Sequence, residues 1–378
     1  MMNRPIKTLY VVLFSLLLLP VSLLALANLA DYRMPAKSSV LDGGLAKSIE
    51  QHYDEQFPLK QAGINLWAAL EYLAFGEGRS GLVIGDGGWL YSDEEFDPVP
   101  DAQRQMRDNL ALIRGVQRQL EQRDIHLVLA ILPAKTRLYP EHTGEHHPSA
   151  LQTSLYPRFH RAVRNAGIAA PDLLGPLLAG KGKAQMFLRT DTHWTPQGAD
   201  VTARALSDVV RSAVQLRGEP QRFVTETVET RAHQGDLTRF LPLAPLFESL
   251  LPRADQLQQR ETHSAQASSD DLFANSDMPV ALVGTSYSAN PAWNFAGALR
   301  QHLQRDLGNY AEEGEGPLVP MLKYLQSEEF ADNPPQLVIW EFPERYLPMT
   351  SDFTDFDPQW LAALKAGGER QGLAAASH

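Results

Sequence analysis

DAQRQMRDNLALIRGVQRQLEQRDIHLVLAIL, residues 101–132, carries two hydrophobic periods in succession. Up to Gln122, the residues Met106, Leu110, Ile113, Val116, Gln117 and Leu120 are spaced for a helix with one inward face. From His126 to Leu132 an unbroken apolar run replaces that spacing, as in a strand covered on both sides. Working outward, Leu82-Val83-Ile84, Val280–Val283 before Gly284, and Gln336–Trp340 read as further buried strands. Thr195–Val214 and Pro291–Leu307 read as helices. Strand, helix, strand over 82–132 suggests a crossover unit. The alternation predicts an α/β domain with a mostly parallel sheet, arranged as a three-layer sandwich.

Around this centre the patterns change. Residues 38–75 read as a helical lead-in, with Leu41, Leu45 and Ile49 at near-helical spacing and LWAALEYLAF at 66–75. Leu251–Asp277 is polar and lacks apolar periodicity, so it reads as a long surface loop. The Gly- and Ala-rich stretch after Leu364 reads as a frayed tail. The expected layout is a membrane segment at 1–30, the lead-in at 31–75, the main domain at 76–364 and a flexible tail at 365–378, with no second domain.

Thr8–Ala30 contains no charge and is long enough to cross a bilayer core as a helix. Arg4 and Lys7 precede it, so the positive-inside rule keeps the N-terminus in the cytoplasm and exports the remainder. Two readings stand: a retained anchor, favoured by the length of the apolar run, and a signal peptide cleaved near Ala25-Leu26-Ala27. The net charge of −11 argues against a nucleic-acid binder, whose affinity rests on Lys and Arg contacts to phosphate. With no cysteine there is no disulfide, thiolate ligand or cysteine nucleophile, which suits a bacterial envelope compartment.

Two segments carry candidate chemistry. In FLRTDTHWTP, 187–196, an extended backbone would put Asp191 and His193 on one face, so that the carboxylate fixes the tautomer of the imidazole. Alone, that spacing is better explained as a surface hydrogen bond, and it is the neighbouring residues that change the balance. Thr195-Pro196 reads as a helix start with Pro in the first turn, placing the pair at a strand-to-helix edge. In VALVGTSYS, 280–288, a strand ends in Gly284 and Ser286 follows in a tight turn, where open α/β sheets present their ligands. Ser286 is the candidate nucleophile and Ser288 the second choice, because Ser at 288 departs from the G-x-S-x-G elbow. The alternative is a serine serving as a turn residue or N-cap. GEGRSG at 76–81 precedes a strand instead of following one, so it is no dinucleotide fingerprint. His142, Glu145, His146 and His147 lack zinc-site spacing, and Trp89 reads either as a core residue or as a sugar-stacking platform.

Together the segments resemble the alginate O-acetyltransferases of the AlgJ/AlgX family, whose catalytic domain is similar to SGNH hydrolases. The matching stretches are GLVIGDGGWLYSDEEF (81–96), DTHWTPQGA (191–199), GDL (235–237), LVGTSYSAN (282–290) and VIWEFPERYL (338–347). The resemblance implies that Asp191 and His193 take the acid and base positions and Ser286 the serine position. Their chain order is permuted from ordinary SGNH hydrolases. The carbohydrate-binding module of AlgX-like members has no counterpart after Leu347, which places the chain nearer the AlgJ members and their cellulose-acetylating relatives.

The implied activity is O-acetylation of an exopolysaccharide, alginate or cellulose, on the periplasmic face of the inner membrane. A hydrolytic acetylesterase and a non-catalytic scaffold are the rivals. No cofactor or metal is implied. The partners implied are a membrane-bound acetyl donor of the MBOAT type, other acetylation and export proteins, and the polysaccharide acceptor. Asn290 and Arg345 stand as guesses for a second oxyanion donor, the alternative for Arg345 being an ion pair with Glu341 or Glu344.

Overall fold

The computed structural model describes residues 4–30, 32–33, 42–56, 59–265 and 278–375. β1 (Leu82–Ile84) and β2 (Leu90–Ser92) form an antiparallel hairpin of their own. The turn between them uses Gly87 and Gly88 at positive φ, 66° and 81°, which favours reversal over a crossover. The expected crossover unit over 82–132 is therefore corrected: the first strand lies outside the main sheet.

That sheet contains β3 (His126–Leu132), β6 (Val280–Val283), β7 (Leu307–Asn309) and β8 (Leu337–Pro343). They run parallel in the order β3-β8-β6-β7. Alternation along each strand assigns its two faces. Val128, Ala130, Val280, Leu282, Leu337 and Ile339 join one apolar cluster with the helices Pro196–Ala213 and Phe295–Leu303. Leu127, Leu129, Ile131, Ala281, Val283, Val338 and Trp340 join another with the helices Ala102–Glu121, Ala150–Asn165 and Pro358–Ala375. The result is the expected three-layer α/β arrangement. Each large apolar side chain buried in it contributes about 1.5–3 kcal/mol.

Three other expectations change. Pro291–Leu307 is divided: the chain turns at Asn294 and Gln304, both with left-handed φ, and then enters β7. The expected loop contains β5 (Asp255–Ser264), paired antiparallel with β4 (Phe223–His233), while its residues 266–277 lie outside the described ones. Apolar periodicity is missing from β5 because the ribbon is largely exposed and, of the residues of β5, only Leu257 and Asp255 reach the interior. The stretch expected as a tail continues the helix Pro358–Ala375, whose Leu361 and Leu364 are buried.

Residues 1–78 and 241–251 form a separate compact unit. Its helices are Arg4–Ala30, Gly44–Gln56 and Lys60–Phe75, while Leu41 of the lead-in lies outside the described residues. Within the first helix, Ile6–Leu24 has a mean hydropathy of 2.1, long and apolar enough to cross a membrane. Gly76 caps the third helix in the left-handed conformation, which accounts for the first glycine of GEGRSG.

Candidate active site

The carboxyl ends of β6 and β8 set one half of the site. After Val283 the chain approaches β8 so closely that a Cβ on Gly284 would fall 2.6 Å from Glu341 Oε2, so only glycine fits. Thr285 then caps the short helix Ser286–Ala289. Glu341, fully buried, accepts from Thr285 N at 3.0 Å, from the Thr285 hydroxyl and from Ser288 Oγ at 2.8 Å. Burial pushes its carboxyl up to about 7 against those hydrogen bonds. This carboxylate fixes the turn that presents Ser286. It also occupies Ser288, whose hydroxyl is buried away as a structural donor, and so removes Ser288 as second choice.

The other half is a tight loop, not the extended segment expected. Phe187 bridges Trp194, Leu188 N donates to His193 O, and Thr195 N to Met186 O. Asp191 folds onto its own loop and accepts from His193 N at 2.9 Å, a turn that short acidic side chains favour. Thr195 caps the helix Pro196–Ala213 through Gly198 N, with Pro196 in the first turn as expected.

The structure brings Asp191, His193 and Ser286 into one hydrogen-bonded line. His193 Nδ1 lies 2.6 Å from Asp191 Oδ1, and His193 Nε2 lies 2.7 Å from Ser286 Oγ. Asp191 is buried, whereas His193 and Ser286 are only partly so. Trp293 stacks on His193 at 5.1 Å and Tyr287 lies at 4.7 Å, so aromatic rings restrict the imidazole. Tyr287 OH donates to Thr192 O and accepts from Arg345 Nη1. Arg345 is buried and pairs with Glu94, while Glu344 pairs with Arg137, so neither expected partner holds it. Asn290 Oδ1 caps Ala292 N.

The sequence reading missed what surrounds Asp191. β4 ends at His233, whose Nε2 lies 2.8 Å from Asp191 Oδ2, and Asp236 N donates to the same oxygen at 3.1 Å. Asp255, opposite His233 in the ribbon, accepts from Arg189 N, Thr190 N and Thr190 Oγ1. The ribbon thus clamps the loop 189–191 from two ends. Burial pushes the Asp191 carboxyl up, but hydrogen bonds from His193 and His233 outweigh it and hold it well below the carboxylate range. The same bond raises His233. A raised imidazole contributes stability fully present below its ordinary value of about 6.5 and lost as pH rises through the folded value. His233→Gln should therefore cost most stability at pH 6, with the difference from the parent shrinking at alkaline pH. Urea titrations across that range check it.

Lys135 is the second missed group. Fully buried, its Nζ donates to the carbonyls of Leu90 (2.6 Å), Arg189 (2.9 Å) and Asp191 (3.0 Å), and it faces the rings of Trp89 and Tyr91. Burial lowers its amine to about 8, against carboxylates including Glu95 and Asp255. Lys135→Met should take this donor from three carbonyls, of which Arg189 O keeps the N–H of Leu90, and destabilise by about 2–4 kcal/mol, read by urea unfolding. Trp89 is buried in this cluster and stacks on His142, which accounts for both as packing residues.

Asp191, His193 and Asp236 each offer a ligand atom within 4.8 Å of the others. The 2.6 Å between His193 Nδ1 and Asp191 Oδ1 is a hydrogen bond, and an ion bound by both would force them apart. The donor set as arranged therefore fits a hydrogen-bonded acid–imidazole pair and not a metal site.

A parallel sheet between helical layers, with serine, histidine and acid gathered at its carboxyl edge, is the arrangement of an SGNH hydrolase-like domain. Residues 82–344 match the family described as ALGX, SGNH hydrolase-like domain, acetyltransferase AlgX. The chain belongs to the AlgJ/AlgX family. It is 53% identical over 373 residues to the probable alginate O-acetylase AlgJ of Pseudomonas syringae pv. tomato, covering 98% of this chain and 95% of that one. The solved O-acetyltransferase domain of Pseudomonas putida AlgJ superposes with a TM-score of 0.72 at 53% identity, over 76% of this chain and 99% of that one. The structure of Pseudomonas aeruginosa AlgX follows at 0.56 and 25%, over 71% and 66%.

Proposed function

We propose that this chain is an O-acetyltransferase that moves an acetyl group through Ser286 onto a hydroxyl of alginate, at the periplasmic face of the inner membrane. The observation that carries the chemistry is the 2.7 Å contact between His193 Nε2 and Ser286 Oγ, with Nδ1 held by a carboxylate.

His193 Nε2 takes the proton of Ser286 as Oγ attacks the acetyl carbonyl of the donor. The bond from the carbonyl to the leaving group breaks, His193 returns the proton to that group, and acetyl-Ser286 remains. A sugar hydroxyl then gives its proton to His193 and attacks. The serine ester breaks and Oγ recovers the proton. Asp191 stays ionised throughout, fixing the tautomer and balancing the imidazolium. The Ser286 N–H, at the start of a helix, is the donor the turn offers to the oxyanion.

The alginate O-acetylase relatives support alginate as acceptor. Its uronate carboxylates meet a protein of net charge −11, so a local cation is required. Arg239, exposed and bonded through Nε to Asp236 O, supplies one beside the His193 cluster. The apolar span near the N-terminus supports anchoring, with acetyl groups delivered by an MBOAT-type membrane partner, since a periplasmic domain has no access to cytoplasmic acetyl-CoA. The AlgX likeness supports a place among other alginate proteins.

The full chain, given an activated acetyl ester and alginate oligosaccharides, should put O-acetyl groups on the sugar. Release of free acetate at the same rate with and without sugar would make it an esterase instead.

A further inference from the structure

The helix Lys60–Phe75 is apolar on nearly all sides, yet only one side is covered. Asn65, Ala68 and Ala69 are buried, and Asn65 Nδ2 donates to the carbonyls of Pro242 and Ala244 in the same unit. The opposite side carries Gly63, Leu66, Trp67, Leu70, Leu73 and Ala74. Their spacing of three and four residues makes one stripe about 16 Å long. It stands in water: Leu66 is 53% exposed, Trp67 64%, Leu70 52% and Leu73 67%, and Phe75 at the end is 73% exposed. A contiguous apolar stripe of this size marks a docking surface.

We propose that this stripe lies in the bilayer interface, so that the unit formed by residues 1–78 and 241–251 rests flat on the membrane. The inference rests on the anchoring reading above. The same unit begins with the apolar span Ile6–Leu24, so lipid is tethered to the stripe at high effective concentration. No charge lies on the stripe. Lys60 sits at the helix start and Glu71 on its flank, so insertion depends on apolar burial and not on anionic headgroups. Trp67 and Phe75 are side chains that favour the boundary between headgroups and acyl chains. A helical protein partner is disfavoured, because the flank of the stripe offers only Lys60 and Glu71, too few charges to set a register along its length.

The chain has no cysteine, so Leu70→Cys and Gln61→Cys each create a single labelling point, one on the stripe and one at an exposed position near the helix start on the covered side, where Gln61 reaches Ala244 O. The full-length chain carrying an environment-sensitive fluorophore is reconstituted into phosphatidylcholine vesicles with no other protein. The position 70 probe should shift to the blue and be quenched by spin-labelled lipid several-fold more than the position 61 probe. Trp67→Glu should reduce that quenching. Alkaline carbonate extraction reads the anchor separately. A chain that resists extraction while both probes behave alike overturns the stripe and keeps the anchor; a chain that is extracted overturns both. Blue emission at position 70 without lipid quenching places the stripe against protein, in a second copy of the chain, and also overturns the proposal.

Discussion

Ser286→Ala is expected to lower turnover of an activated acetyl ester by about three to six orders of magnitude, the range seen when a triad nucleophile is removed. The residue lies at a turn fixed from behind by Glu341 and Thr285, and its hydroxyl is the group His193 Nε2 faces at 2.7 Å. Alanine removes the attacking oxygen without touching those supports, so the fold should persist, with near-ultraviolet circular dichroism and urea midpoint unchanged. Polymer acetylation in cells should fail alongside ester cleavage. Normal acetyl content in cells carrying the variant would favour the scaffold reading, and unchanged ester turnover would remove Ser286 from the nucleophile position.

Asp191→Asn is the second large effect, with an expected loss of about four orders of magnitude in kcat. Asp191 accepts from His193 Nδ1, His193 N, His233 Nε2 and Asp236 N. An amide has one acceptor oxygen and one donor nitrogen, so it cannot satisfy donors on both sides. If the NH2 turns to His193, Nδ1 must accept and the proton moves to Nε2, which then has no lone pair for the serine proton. If it turns to His233, that ring must lose its proton. The pH dependence has a definite sign. A carboxylate held below its ordinary range contributes stability that is present above about pH 3.9 and is lost as pH falls through the folded value, and the variant should lack that acid-side component. Steady-state kinetics and acid titrations of both forms measure the two effects; a loss under tenfold would show that His193 does not depend on this carboxylate.

Much of the architecture was legible because burial writes a plain signal. β3, β6 and β8 are covered on both faces and read as apolar runs, and the helices over 102–121 and 196–213 read from their inward stripes. The ribbon was not, because β5 buries little beyond Asp255 and Leu257 and so shows no period. The β-branched run at Phe223–Thr230 is the signal that announces β4. The same blindness hid His233, Asp255 and Lys135: each acts through polar contacts made by tertiary folding, which leave no local spacing to read. Ser286 was visible in a recognisable strand-to-helix turn, and Asp191 and His193 through their spacing before the Thr195-Pro196 helix start, although their segment is a loop and not a strand. Their contact over 93 positions is something only the fold supplies.

The most direct measurement of the central claim is intact-protein and peptide mass spectrometry after brief exposure of the full chain to an activated acetyl donor, quenched in acid. The account predicts one added acetyl group on Ser286, absent from Ser286→Ala and discharged when alginate oligosaccharide is added before the quench. Acetyl found elsewhere on the chain, or turnover with Ser286 never modified, would contradict it.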